Sequence, residues 1–92
     1  MATRGTTANV LMIADNKLIC ANAGDSRCVV GANKRAVALS EDHKPTGPIE
    51  KARIEAAGHT VSDEGRIDGI LNLSRGLGDA NFKRNRNLEL AD

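Results

Sequence analysis

The chain has 92 residues and a mass of 9.7 kDa, which is enough for one small domain and excludes several domains within it. Charged residues make up 27% and apolar residues 40%, a composition that is typical of soluble globular domains and argues against disorder. A formal charge of +1 provides no overall field that would attract nucleic acid or an anionic membrane. We therefore expect neither of these partners.

The sequence is poor in large side chains that could fill a core. Phe82 is the only aromatic residue, so the core depends on aliphatic residues. Chains of this length bury only about 60–65% of their unfolded surface. A core without aromatic rings therefore leaves little margin of stability. This composition suggests that some structure is missing from the chain.

The cysteine pattern indicates a reducing compartment. Cys20 and Cys28 are the only cysteines, and no signal-peptide pattern opens the chain. No apolar run reaches the ~18–20 residues that a membrane span requires. We expect two reduced, buried thiols in an intracellular protein of the cytoplasm or nucleus.

The first 39 residues predict an antiparallel meander. Residues 6–14 are nearly continuously apolar, which favours a strand that is buried on both faces. Further strands are expected over 18–23, 27–30 and 35–39, because turn residues separate these short β-branched or apolar runs.

The next segment predicts a loop followed by a helix. Residues 40–48 are polar and contain both prolines. Gly47 suits the N-cap, Pro48 the first helical position and Gly58 the left-handed C-terminal position. The apolar stripe of this helix is predicted to consist of Ile49, Ala52 and Ala56.

Short strands are expected again beyond Gly58, over 60–62 and 70–73. Residues 81–87 are polar and locally basic. The cluster Lys83-Arg84-Asn85-Arg86 could contact phosphates or act as a localisation signal, but three charges without a stacking aromatic residue are more typical of a solvated tail.

Asp25 is a candidate metal ligand. In Gly24-Asp25-Ser26-Arg27 it occupies a tight turn between two strands, where its carboxylate can project from the end of a sheet. Turn statistics alone favour a simpler role, in which the side chain bonds the backbone of its own turn.

The two histidines have several interpretations. His43 could shuttle protons, although a lone loop histidine is more often structural. Together with His59, Cys20 and Cys28 it could form a zinc site, but the cysteines are not spaced as a zinc knuckle. Asp68 and Asp79 have no histidine close in sequence, so turn and cap roles are favoured for them.

Six segments occur in one order along the chain. They are GTTA (5–8), ANAGDSRCVV (21–30), LSEDHKP (39–45), EKARIEAAG (50–58), GRIDG (65–69) and LNLSRGLGD (71–79). In this order and spacing they resemble the metal-dependent protein phosphatase 2C family, and together with FKRNRNL (82–88) they look most like its gamma-type members. The resemblance extends from Gly5 to about Leu88.

The resemblance implies an α+β fold class, namely the antiparallel β-rich part of an α-β-β-α sandwich with one flap helix. Residues 1–92 would form a single partial domain. It would contain a β-meander over 5–39, a flap region over 40–69 with a helix near 48–57, and a strand and polar tail over 70–92.

The resemblance also implies hydrolysis of phosphoserine and phosphothreonine in proteins by water activated between two Mg²⁺ or Mn²⁺ ions. The family's core metal ligands lie in Asp-Gly-His-Gly-Gly, Asp-Gly and Asp-Asn segments that have no counterpart here. Asp68-Gly69 matches a different stretch, the family's Arg-Val-Asn-Gly. We therefore expect no tight metal binding and no activity from this chain alone.

Three residues match peripheral positions of the family. Asp25 matches the aspartate that helps to hold an additional, weaker metal ion. His43 begins the flap beside the active site, and Arg66 matches a flap arginine that influences substrate handling. The alternative hypothesis is a non-catalytic binding or regulatory module derived from a phosphatase. Because a truncated sandwich exposes strand edges and apolar faces, we also predict self-association.

Overall fold

The computed structural model describes residues 4–83. The elements in chain order are β1 (Gly5–Thr6), β2 (Ala8–Ala14), β3 (Lys17–Ala23), β4 (Val29–Ala32), β5 (Arg35–Ala38), α1 (Pro48–Ala56), β6 (Leu77–Gly78) and a 3₁₀ turn (Ala80–Phe82). All strand pairs are antiparallel, which confirms the α+β class. No helix in this part of the chain has the length and apolar character needed to cross a membrane.

Two tight hairpins dominate the first half of the chain. All seven residues of β2 pair with β3, and all four of β4 pair with β5. The φ angles are 49° and 61° at Asp15 and Asn16, and 51° and 62° at Asn33 and Lys34. Positive φ at both central residues defines the type I′ turn, whose twist matches that of the flanking strands.

The predicted continuous meander is wrong. The strands form three separate two-stranded sheets, β1–β6, β2–β3 and β4–β5, and β3 does not pair with β4. The strand expected over 6–14 is also interrupted at Thr7, because β1 leaves the hairpin to pair with β6. The Thr7 hydroxyl bonds the Ser26 hydroxyl at 2.7 Å, which holds this break against the turn after β3.

Several other strand predictions need correction. The strand expected over 27–30 lies at Val29–Ala32, because the two-residue turn leaves Gly31 and Ala32 paired. Only isolated bridges, Val61 with Ile67 and Ile67 with Leu71, occur where strands 60–62 and 70–73 were expected. The φ angle of 50° at Asp68 reverses the chain before a ladder can grow. The polar tail from residue 84 lies outside the described residues.

The predicted helix is present. Gly47 is its extended N-cap, Pro48 is its first residue, and Gly58 has a φ of 94° just beyond its end. The predicted apolar stripe is wrong, because Ile54 is buried while Ile49 is 81% exposed. Arg53, next to Ile54, donates from Nη2 to the Ser74 carbonyl at 2.6 Å, so this face of α1 is turned toward residue 74.

The core is small and lies in the second half of the chain. Its buried apolar residues are Pro45, Ile54 and Ile67. The β2–β3 hairpin instead exposes large apolar side chains, so the predicted burial of 6–14 is wrong for this chain. The radius of gyration is 15.2 Å, against about 12 Å for a compact domain of this length. Among residues 4–83, no layer covers either face of the hairpin as a buried strand would require.

Candidate functional site: the Asp25 turn and the 40–69 segment

Gly24 sets the geometry of the turn that carries Asp25. It follows β3 directly, is buried, and has a φ of 120°. A β-carbon at this position would lie 2.6 Å from the Thr7 methyl carbon. Only glycine meets both the conformational and the steric requirement, and the chain therefore turns sharply enough for Asp25 to leave the end of the hairpin.

His43 holds this turn by two hydrogen bonds. The Gly24 N–H donates to His43 Nδ1 at 2.9 Å, and the His43 N–H donates to the Gly24 carbonyl at 2.9 Å. The Ser74 N–H donates to the His43 carbonyl at 3.0 Å. Because Nδ1 accepts, a neutral His43 ring carries its proton on Nε2. His43 thus links three segments of the chain.

Asp25 forms an ion pair with Lys44. Lys44 Nζ lies 2.6 Å from Asp25 Oδ2 and also donates to the Asn72 carbonyl at 3.1 Å. The Asp25 side chain is 22% exposed and that of Lys44 is 45% exposed. A cation that approached Asp25 would have to displace an ammonium group that is anchored at two points.

Further polar contacts tie the 24–27 turn to residues 40–42. Asn22 Nδ2 donates to the Gly24 carbonyl at 3.2 Å and to the Glu41 carbonyl at 2.9 Å. Arg27 forms a bidentate pair with Asp42, with distances of 3.1 and 2.7 Å. The hydrogen bond from Arg27 holds the pKa of Asp42 below its ordinary value, although partial desolvation opposes this shift. These hydrogen bonds and the ion pair therefore hold the 24–27 turn in a defined position against residues 40–42.

The donors around Asp25 do not fit a complete divalent-metal centre. Between residues 4 and 83, no three His, Cys, Asp or Glu side chains are grouped so that they could hold a metal ion. Mg²⁺ requires near-octahedral oxygen ligands, whereas Asp25 provides a single, already paired carboxylate. The zinc set of Cys20, Cys28, His43 and His59 is likewise not assembled.

Arg66 lies in the 62–70 loop and is exposed. Its Nη1 donates to the Ile70 carbonyl at 2.9 Å, and its main-chain N–H donates to Ser62 Oγ at 3.1 Å. The bond to the Ile70 carbonyl directs the Arg66 guanidinium toward the other end of its own loop. The side chain therefore helps to hold the two ends of the 62–70 loop together.

A His–Asp pair that the sequence interpretation missed connects His59, shortly after α1, to the same loop. His59 Nδ1 is 2.6 Å from Asp68 Oδ2, and the Thr60 N–H donates to Asp68 Oδ1 at 3.0 Å. The Thr60 backbone, and then His59, hold the pKa of Asp68 below its ordinary value. The sequence did offer a signal for this pair, namely the turn residues between His59 and Asp68. A chain reversal at those residues places residues 59–60 beside Asp68.

A second missed cluster joins α1 to residues 74–75. Glu50 accepts from Arg53 at 3.0 Å and from Arg75 Nη2 at 3.2 Å. Partial burial opposes ionisation of Glu50, but the Ser74 hydroxyl and the two arginines outweigh it, so that the pKa of Glu50 lies below its ordinary value. Helical spacing explains the Glu50–Arg53 contact, whereas Arg75 is 25 residues distant in sequence.

Comparisons with known proteins agree on one family. A family model described as protein phosphatase 2C matches residues 1–90. The chain is 55% identical over 84 residues to protein phosphatase 1G of Rattus norvegicus, which covers 91% of this chain and 16% of that protein. It is 55% identical over 86 residues to the probable protein phosphatase 2C 2 of Paramecium tetraurelia, which covers 94% of this chain and 28% of that protein.

A solved phosphatase structure has a similar fold. The crystal structure of a phosphatase from a pathogenic strain of Toxoplasma gondii superimposes with a TM-score of 0.73 at 45% identity. The match covers 78% of this chain and 23% of the solved chain. This chain therefore spans between 16% and 28% of the length of these three proteins.

Proposed function

The chain belongs to the protein phosphatase 2C family, and on this premise we propose that it is part of a Mg²⁺- or Mn²⁺-dependent protein serine/threonine phosphatase and has no activity alone. The family match over residues 1–90 carries the assignment of a phosphatase. The incomplete donor set around Asp25 supports the proposed inactivity, because water activation between two ions requires ligands that residues 4–83 do not group together.

Within the whole enzyme, we propose that Asp25 helps to hold a peripheral, weakly bound Mg²⁺ or Mn²⁺ ion. The turn presents its carboxylate beside Lys44, which would compete with the ion for Oδ2. His43 acts as a positioning residue, since it fixes Gly24 next to Asp25. This chain is not expected to bind a metal tightly.

We further propose that residues 40–69 form a flap beside the active site of the whole enzyme. The segment is held at its start by His43 and along α1 by Glu50 and Arg53. Arg66 is exposed at its far end and would influence how a phosphoprotein substrate is handled. Two unpaired cysteines are typical of a reducing compartment, which supports the cytoplasm or nucleus as the location.

The isolated chain is proposed to self-associate, with a second copy as the partner. Six large apolar side chains of the β2–β3 hairpin are 44–74% exposed, namely Val10, Leu11, Met12, Ile13, Leu18 and Ile19. Within residues 4–83, both outer edges of this hairpin also lack a paired strand. Exposed edges and apolar faces of this kind promote pairing between chains.

The deciding experiment measures phosphate release from a phosphothreonine peptide by the purified chain across a Mn²⁺ titration. A full-length phosphatase of the family serves as the positive control. We expect no turnover from the chain at any Mn²⁺ concentration. Turnover that follows metal occupancy and disappears in Asp25→Ala would overturn the proposed inactivity.

A parallel pull-down with the same chain tests the alternative of a binding or regulatory module. Recovery of a defined phosphatase or phosphoprotein, lost when Arg66 is replaced by Ala, would favour that alternative. Recovery of neither would count against it.

A further inference from the structure

Two thiols lie at the junction of the two hairpins. Cys20 is on β3, where it pairs with Leu11, and Cys28 immediately precedes β4. Both cysteines are unpaired and half-buried. They are therefore accessible to a small reagent, so the predicted burial of the two thiols is wrong.

Asn9 and Ser40 link the Cys20 side chain to the backbone of Cys28. Cys20 Sγ donates to Asn9 Oδ1 at 3.9 Å, and Asn9 Nδ2 donates to Ser40 Oγ at 3.4 Å. The same Ser40 Oγ accepts the Cys28 N–H at 2.9 Å. A short series of contacts thus connects Cys20 to Cys28 across two elements that share no backbone ladder.

The thiols also influence each other directly. Burial, followed by interaction with the Cys28 thiol, raises the pKa of Cys20. The two thiols therefore interact with each other. A thiolate is the attacking species in disulfide exchange.

We propose that Cys20 and Cys28 form a reversible intramolecular disulfide when the chain meets a small-molecule disulfide such as oxidised glutathione. The thiolate of one cysteine attacks one glutathione sulfur, the S–S bond breaks, and one glutathione leaves as a thiolate that takes up a proton. The other cysteine, after losing its proton, then attacks the protein sulfur of this mixed disulfide and releases the second glutathione as a thiolate. The protein dithiol is oxidised by two electrons and one glutathione disulfide is reduced to two thiols.

The position of this bond gives it a structural consequence. The closed loop would contain residues 21–27, and therefore the turn that presents Asp25. It would also join β2–β3 covalently to the strand that begins at Val29. Oxidation would thus restrain the Asp25 turn, independently of whether the proposed phosphatase function is correct.

The test equilibrates the full 92-residue chain with defined ratios of reduced and oxidised glutathione, followed by acid quenching and mass analysis. We expect a monomer that is lighter by two hydrogen atoms. Trypsin cleaves after Lys17, Arg27 and Lys34, so the expected product is the peptide 18–27 linked to the peptide 28–34. Cys20→Ser and Cys28→Ser are matched controls, because neither variant can form the intramolecular bond.

A second measurement distinguishes a disulfide that the folded structure favours from one that forms only because the two cysteines are close in sequence. The effective concentration of the pair, obtained from the glutathione ratio at half-oxidation, is compared in native buffer and in concentrated urea. We expect a decrease of at least about tenfold in urea, where only loop closure favours the bond. An unchanged value, accumulation of mixed disulfides at both cysteines, or disulfides between chains would each overturn the proposal.

Discussion

Gly24 and His43 exchange two hydrogen bonds, one through the imidazole Nδ1 and one through the His43 main-chain N–H, and both measure 2.9 Å. The residues that follow them, Asp25 and Lys44, form an ion pair at 2.6 Å. These two hydrogen bonds fix the register between the turn and the 40–44 segment. The ion pair is a consequence of that register, so the chemistry of Asp25 depends on His43.

Replacement of His43 by Ala should loosen this turn. The buried Gly24 N–H would lose its acceptor, and such a loss costs about 1–3 kcal/mol. Amide hydrogen exchange should accelerate at Gly24 more than at residues of β4 and β5. His43→Asn, whose amide oxygen can occupy the position of Nδ1, is the matched control and should restore part of the protection. Equal protection at Gly24 in the Ala variant would contradict the positioning role.

Replacement of Lys44 by Met should strengthen the weak attraction of Asp25 for Mn²⁺. Removal of the competing ammonium group should lower the dissociation constant by about two- to fivefold, a ratio that corresponds to the strength of a partly exposed ion pair. Paramagnetic line broadening of the Asp25 resonances reports binding without any need for turnover. The double variant Asp25→Asn/Lys44→Met should lose the effect. Persistent broadening in that variant would show that the ion binds at a residue other than Asp25.

Glu50 should make stability depend on pH in the acid range. Its pKa is lower in the folded chain than the unfolded value of about 4.3. Its contribution is therefore fully present above that unfolded value and is lost as the pH falls through the folded pKa. Glu50→Gln should lower the free energy of unfolding by about 1–3 kcal/mol near pH 7. Urea titrations should show that the difference in stability between the two chains shrinks as the pH falls below the unfolded value of about 4.3. A difference that grows there would contradict the lowered pKa of Glu50.

Asp68 should titrate below the usual value of about 3.9 for an aspartate. The Thr60 N–H is the main cause and His59 the second, so His59→Ala should raise the pKa of Asp68 only part of the way to its ordinary value. Carbon-13 chemical shifts of the carboxyl group measure this directly. A complete return to the ordinary value would show that His59, and not the Thr60 backbone, controls the carboxylate.

Charged substitutions on the β2–β3 hairpin should reduce self-association. Met12 and Ile13 are 51% and 74% exposed and lie on opposite faces of β2. The double variant Met12→Glu/Ile13→Lys should shift the chain toward monomer in sedimentation velocity. Ile49→Lys is the matched control, since Ile49 is 81% exposed on α1, away from the hairpin, and should leave the distribution unchanged. An unchanged distribution in the double variant would exclude the hairpin as the contact.

Local features were predictable from the sequence because neighbouring residues create them. The turn at Asp15 and Asn16 and the helix that begins at Pro48 both depend on the φ preferences of a few consecutive residues. Six segments in one order were sufficient to indicate the family. These features required no knowledge of what packs against them.

Contacts between distant segments were decided only by the tertiary structure. Asp25 and Lys44 are 19 residues apart, and Glu50 and Arg75 are 25 residues apart, so no local pattern marks either pair. Strand order and the buried face of α1 also depended on packing, as the break at Thr7 and the burial of Ile54 demonstrate. The sequence by itself determined the turns, the helix and the family, since these depend on local backbone preferences and on the identity and order of residues. Only the tertiary structure decided which side chains meet and which remain exposed, since both depend on the elements that pack against them.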